Sequence, residues 1–396
     1  MKFLPYVLKH LRRSWLRTTS TVVGMALCIF LICTLQTVLA AIRASSEAAS
    51  PARLVTRHAV SFVFNMPIAY KARIEAIPGV RRVAADNWFG GVYRDMKDFF
   101  PNFAVDAEEY FGMYPEYVLA PDEKRAFMED RRGAVIGPDI AQKFGFAIGD
   151  TFQLESIIPP YRTGRPFEFV VRAIYTTDPV RRRGTNTGMM FFHWKYLYES
   201  IRGRPVGNYA GAGMFAIEVD DPARSAAIVK TIDATFENSD VQTKTETEAT
   251  FLESFTALTG NLVLLLNSIG LAVAFTVLLV TANTMSMAVR ERRTEIAVLK
   301  TLGFSGGLVL ALVLVEATVL GALGGGLGVL MAQAVVRNLA KLPFMGFVLG
   351  GFPPLTVSVP VGTSTFAVAA TLGLLSGLVP AVGAYRARIT DMLRQV

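Results

Sequence analysis

No Gly-x-x-x-x-Gly-Lys-Ser/Thr phosphate loop occurs in the 396 residues, so the sequence has no recognisable ATP site of its own. Histidine is scarce: His10, His58 and His193 are scattered and share no metal-ligand spacing. The two cysteines, Cys28 and Cys33, both fall in the first apolar run, so no disulfide framework staples the rest of the chain. No Ser/His/Asp or Cys/His grouping with local context is present. These absences argue against an enzyme, and no catalytic residue, metal ligand or bound cofactor is assigned.

Charge is missing from four long stretches. None occurs over 18–42, over 254–289 or over 361–385, and the run after Lys300 holds Glu316 alone before Arg337. Each stretch can cross a hydrocarbon core of about 30 Å at about 1.5 Å per residue. A hydrophobic fraction of 52% and a mean hydropathy of +0.39 agree with a membrane protein. A signal peptide is the competing reading of the first run, but its apolar region is typically only about 7–15 residues long.

The net charge of +8 invites a nucleic-acid reading until it is located. Residues 43–256 hold 26 basic and 28 acidic side chains, while the remainder holds 14 basic and 4 acidic ones. The basic excess therefore flanks the apolar runs, which is positive-inside patterning and leaves no basic stripe for phosphates. The spans are assigned to 18–43, 254–289, 305–336 and 361–385. The basic flanks 1–17, 290–304 and 386–396 then lie in the cytoplasm, with both termini. Within 1–17, Phe3, Leu4, Val7, Leu8, Leu11 and Trp15 recur at helical spacing, an amphipathic helix on the membrane surface. The short segment 337–360, broken by Pro343, Pro353, Pro354 and Pro360, is an extracytoplasmic loop.

Residues 44–253 form a large extracytoplasmic domain. The patterning predicts strands over 80–87, 134–136, 151–155, 167–174 and 214–219. It predicts helices over 70–77 and 138–144, and one starting at Pro222, capped by Asp221, with Val229, Ile232 and Phe236 buried. Strands and helices mix without a phosphate fingerprint, so the class is α+β. Residues 248–290 contain no proline and only Gly260 and Gly270, enough for one helix that extends beyond the bilayer as a stalk. The first span extends outward likewise, to about Ser50, where Pro51 stops it. Rigid helices of this kind can carry a displacement across a membrane.

Several smaller features have two readings. Glu316 is the one ionisable residue well inside a span, so it faces protein or water. It marks either a proton or substrate pathway or a structural hydrogen bond to a neighbouring helix. Gly321/Gly325 and Gly324/Gly328 read as close helix packing at small-xxx-small spacing. Arg181 to Arg183 read as a solvated loop or an adaptor or lipid contact. Trp88, Phe89, Phe99, Phe100 and Phe103 read as core or as a partner surface. Over 290–303, Arg292, Arg293, Glu295 and Lys300 can share a polar surface, with Ile296, Leu299 and Leu302 on another face. Gly303 fits the helix stop and Ser305 can cap the third span. Paired charges of both signs favour a docking helix for a soluble partner over a plain turn.

That segment, RERRTEIAVLKTLG at 290–303, resembles the cytoplasmic signature RERRxEIxxLKxLG of the permease family that includes FtsX, MacB, LolC and LolE, the type VII ABC transporters. The stretches LKHLRRSWLRTTSTVVG at 8–24, AQKFGFAIGD at 141–150 and LVPAVGAYRAR at 378–388 are similar to its opening helix, external domain and last span. The resemblance implies a bacterial inner-membrane, multi-pass permease with four transmembrane helices and one large extracytoplasmic α+β domain between the first two. Residues Arg290, Glu291, Arg292, Arg293, Glu295, Ile296, Leu299, Lys300, Leu302 and Gly303 would form its ATPase-coupling helix. ATP would be bound by a separate ATPase subunit, since the ATPase region that MacB carries at its N-terminus is not seen here. A second permease copy or paralogue would complete a dimer, and a periplasmic adaptor (membrane fusion protein) is a further partner it admits. The implied function is ATP-driven export or extraction of a hydrophobic substrate: lipid, lipoprotein, lipopeptide or drug. Two other readings remain: a non-transporting signal transducer controlling a periplasmic cell-wall hydrolase, and a membrane-anchored binding domain without an ATPase.

Overall fold

A computed structural model describes residues 15–61, 63–178, 185–202, 211–257, 262–339 and 355–387. The amphipathic segment before Trp15, Arg181 to Arg183, most of loop 337–360 and the tail from Arg388 lie outside the described residues. The chain divides into two compact units, one of Ala41–Gly260 with Leu339–Pro354 and one of Met1–Ala40, Asn261–Asn338 and Leu355–Val396. Helix α1 (Trp15–Ala48) begins in the second of these and ends in the first.

In the unit built on Ala41–Gly260, strand β1 (Arg53–His58) and helix α2 (Ala69–Glu75) come first. Strands β2 (Val80–Trp88), β3 (Gly91–Val92) and β4 (Asn102–Val105) follow. Then come α3 (Tyr110–Met113), β5 (Tyr117–Val118), α4 (Pro121–Glu129), β6 (Gly133–Ile136) and α5 (Pro138–Phe144). The order continues with β7 (Thr151–Ser156), β8 (Phe167–Ile174), β9 (Thr176–Thr177), β10 (Met190–His193) and α6 (Trp194–Ile201). Strand β11 (Met214–Val219), α7 (Ser225–Phe236), β12 (Thr243–Thr247) and α8 (Glu248–Ala257) complete it. Ten strands make one mixed sheet in the order β12-β1-β11-β2-β4-β10-β6-β8-β7-β3, and β5 pairs with β9 separately. Among the described residues, only β4/β10 and β6/β8 run parallel.

Successive strand residues point to opposite faces, so a strand covered on both sides is apolar throughout. Strand β10 shows this: Met190 and Phe192 join one core with Ile136 and Phe215, while Phe191 joins another with Val135, Tyr110 and Phe127. Near the sheet edge, β7 alternates, with Phe152 and Leu154 buried and Thr151, Gln153 and Glu155 exposed. Helix α5 starts on a proline and ends where Gly145 adopts a left-handed φ of 72°. The aromatic group settles mostly inside, as Phe89, Phe99 and Phe100 are buried and Trp88 and Phe103 half-buried.

One expected helix is shifted. Asp221 Oδ1 accepts from the Ala223 N–H at 2.9 Å, but Pro222–Arg224 is a 3-10 turn and the α-helix begins at Ser225. The tighter turn changes the phase, so Ile228 is buried with Ile232 and Phe236, and Val229 is only partly buried.

In the other unit, α9 (Leu262–Glu291), α10 (Arg293–Thr301), α11 (Gly306–Leu339) and α12 (Val359–Arg386) follow α1. Among the described residues, four helices are long and apolar enough to cross a membrane: Trp15–Ala41, Leu264–Glu291, Gly306–Asn338 and Val359–Arg386. The glycines of α11 serve two neighbours. A Cβ added at Gly321 would lie 2.6 Å from the Ala369 carbonyl oxygen, and one at Gly325 would meet the Ala369 side chain, both on α12. A Cβ at Gly324 would lie 2.6 Å from Met25 Cβ, and one at Gly328 2.6 Å from the Ala26 carbonyl oxygen, both on α1. The absent side chains let three backbones approach closely.

Candidate functional site

Helix α9 continues through Glu291, so Arg290 and Glu291 close the span helix and do not open the charged helix expected over 290–302. The backbone turns at Arg292, where φ is −103° and ψ is 15°, and α10 runs from Arg293. The turn carries the Arg292 guanidinium to Glu316 on α11. Nη1 donates to Oε2 at 2.7 Å and Nη2 to Oε1 at 3.1 Å, a two-pronged charge-assisted pair. Both side chains are largely buried, at 18% and 10% exposure. A carboxylate in a span needs such a partner, because burying it alone would cost roughly 2.5–3.5 kcal/mol on insertion scales.

Lys300 also turns inward. Its Nζ donates to the carbonyl oxygens of Ala384, Tyr385 and Ala387, at 2.8, 3.1 and 2.8 Å. These close the C-terminus of α12, where helix carbonyls lack intrahelical donors and a cation suits the dipole. All three ammonium protons are used. Burial pushes the Lys300 pKa down from its usual value. Arg17 on α1 pairs with Glu291 at the end of α9.

The apolar side of α10 buries Ile296 and Ala297 against Val309 and Ala384, with Leu299 half-buried. Glu295 is half-buried and shares a cleft with Arg292, Glu316, Met285 and Val313. The opposite side holds exposed Arg293, Thr294, Val298 and Thr301, with Leu302 70% exposed. Two expectations are corrected here. Arg292 and Lys300 do not share the outward polar surface with Arg293, because each is drawn to a buried acceptor. Leu302 is not on the packed face, because it caps the helix where the chain leaves. Gly303, with φ of 91°, bonds its N–H to the Lys300 carbonyl, and Phe304 bonds to that of Leu299, a Schellman stop. Ser305 Oγ accepts from the Leu308 N–H at 3.3 Å and caps α11.

The pairing of Arg292 with Glu316 had one available signal, that an acid alone in a span must find a cation. Nothing in the spacing marked Lys300 as different from its neighbours. Elsewhere, His193 is buried, stacked on Phe127 and bonded through Nε2 to the Phe127 carbonyl at 2.6 Å. Among the described residues no group of histidine, cysteine and acidic side chains is placed to hold a metal.

Two family models match the chain. The MacB-like periplasmic core domain matches residues 14–235, more than half of the chain, and the FtsX-like permease C-terminal region matches residues 267–389. A Bacillus subtilis (strain 168) protein described as an uncharacterized ABC transporter permease, YvrN, is 33% identical over 113 residues, 28% of this chain. The aligned part spans only 25% of that relative. Among solved structures, the periplasmic region of MacB from Actinobacillus actinomycetemcomitans is similar at 9% identity and a TM-score of 0.36, covering 53% of this chain and 95% of that one. The extracellular domain of the noncanonic ABC-type transporter YknZ from Gram-positive bacteria matches at 12% identity and a TM-score of 0.36, covering 49% and 99%.

Proposed function

Because the chain belongs to the family of ABC transporter permeases that pair a MacB-like periplasmic core domain with an FtsX-like C-terminal region, we propose that it is a permease subunit driven by a partner ATPase. The observation that carries this reading is the build of α10. One face is fastened to α11 through Arg292 and Glu316 and to α12 through Lys300. The other presents exposed Arg293, Val298 and Leu302, a face that is both charged and apolar and is open to solvent. A helix so fastened hands any push on its outer face to two spans.

In this reading the flanks of the spans lie in the cytoplasm of a bacterial inner membrane and the large domain lies outside. The ATPase docks on α10, binds ATP itself, and moves the large domain through the helices that join it to the spans. Two copies of the permease, or this chain and a paralogue, receive two ATPase subunits. The apolar spans and the family together support a hydrophobic substrate that is exported or extracted from the outer side of the membrane.

The test is co-purification of the ATPase with detergent-extracted permease. Arg293→Glu and Leu302→Asp alter two exposed residues of the outer face, so the variant permease should insert and extract normally yet lose most of the ATPase. Undiminished co-purification from the double variant overturns docking on α10.

A further inference from the structure

Outside α10, the described residues hold a densely charged and buried cluster where α1 ends and α8 begins. Glu248, the first residue of α8, is buried. Its Oε2 accepts from the Ser50 backbone N–H at 3.1 Å and from Arg53 Nε at 2.7 Å. Ser50 lies just beyond the end of α1, so one carboxylate ties the chain leaving α1 to the chain entering α8. Arg53 is itself 5% exposed. The far edge of its guanidinium grips Glu116 through Nη2–Oε1 at 2.8 Å and Nη1–Oε2 at 3.2 Å, and Nη1 also reaches the Met113 carbonyl at 3.0 Å. The Tyr114 ring lies 4.3 Å from the guanidinium carbon.

This grip leads into the domain. Glu116 lies between α3 and β5, its carbonyl accepts from the Asp178 N–H at 3.2 Å, and β5 pairs with β9. Burial opposes the charge on Arg53, but Glu248, Tyr114 and Glu116 outweigh it and hold the guanidinium protonated. A buried ion cluster of this kind is poor evidence for stability, since an apolar replacement is often neutral or better. Its use is geometric: Arg fixes two carboxylates in one plane and one spacing. A shift of either helix end must therefore move the 113–118 segment or break the cluster.

We infer that Arg53, with Glu248 and Glu116, is the positioning node that passes displacement of α1 and α8 into the large domain. The inference deepens the proposed function and rests on it. The test uses the full chain with its ATPase in nanodiscs, with Cys28→Ser and Cys33→Ser removing the native thiols. One nitroxide pair, at Arg43→Cys and Glu253→Cys, reports the helices, and a second, at Lys124→Cys and Lys230→Cys, reports the domain. Distances are measured without nucleotide and with ADP-vanadate. In the otherwise unsubstituted protein both pairs should shift. Glu116→Gln leaves the Arg53–Glu248 pair intact, so the helix pair should still shift while the domain shift is lost, with resting distances unchanged. Arg53→Lys, which keeps the charge without the fork, should lose it in part. A domain shift that survives in Glu116→Gln overturns the node. Shifts absent from both pairs in the unsubstituted complex would instead overturn the ATP-driven reading, and the node with it.

Discussion

Asp86 lies on β2 between Val105 and Met214 of its two neighbouring strands, with its Oδ1 buried and without a hydrogen-bond partner among the described residues. The phenols of Tyr110 and Tyr114 are close enough for its charge to raise their pKa values further. Burial pushes the Asp86 carboxyl up to about 7, against a smaller opposing pull from the Asn87 backbone N–H. The folded protein therefore holds this proton where the unfolded chain, with an ordinary carboxyl near 3.8, has lost it. Folded binding more protons than unfolded means that stability falls as pH rises across that window, from about 4 to about 7. Above it, the folded state carries a buried unpaired charge. Asp86→Asn mimics the neutral form. It should flatten the decline in melting temperature between pH 4 and 8, and a slope as steep as in the unsubstituted chain would refute this account. Nothing around Asp86 in the sequence, an acid within VRRVAADNW, betrays its burial. Arg53 is the same kind of case: an arginine in RLVTRH reads as surface until its two carboxylates, distant in sequence, are found beside it.

Elements were legible in proportion to how local their signal is. Strands β8 and β11 have the bounds the alternation predicts, 167–174 and 214–219, and α5 has the bounds its proline and glycine predict. Strands β4 and β10 carry no strand signal, because four residues buried or half-buried on both faces show no alternation. Strand β1 is masked in the sequence by its arginines, whose partners come from β12 and the segment before β5. Among the spans, glycine spacing named the packing residues, but only coordinates say which helix each meets. That assignment carries a prediction. Gly321→Ala puts a methyl 2.6 Å from the Ala369 carbonyl oxygen, so α11 and α12 must part and the extracted protein should melt several degrees lower. Gly326→Ala meets nothing within 4 Å and gains up to about 1 kcal/mol in helix propensity, so its melting should be unchanged or higher. Equal losses for the two would refute the packing assignment.

At the scale of the molecule, hydropathy sufficed for four spans, because each crossing demands about 20 apolar residues in one local run. It could not divide the cations of RERRTEIAVLK, since their roles depend on acceptors 24 and 84 residues further along the chain. The division matters for how a push would travel. Arg293 and Leu302 lie on the outer face of α10, while Arg292 and Lys300 fasten its inner face to α11 and α12. Lys300→Met removes three donors from the end of α12, and Glu316→Gln takes the counter-charge from Arg292. Each hydrogen bond to a charged group is worth about 1.5–3 kcal/mol, so both variants should loosen the inner face without altering the outer one. Both should therefore keep the ATPase through purification. Both should also shrink the nucleotide-dependent distance change between labels at Arg43→Cys and Glu253→Cys. Variants of the outer face should do the reverse at the first step, losing the ATPase itself. If Lys300→Met sheds the ATPase as fully as Arg293→Glu with Leu302→Asp, α10 is one undivided docking surface and its inner contacts have no separate part in transmission.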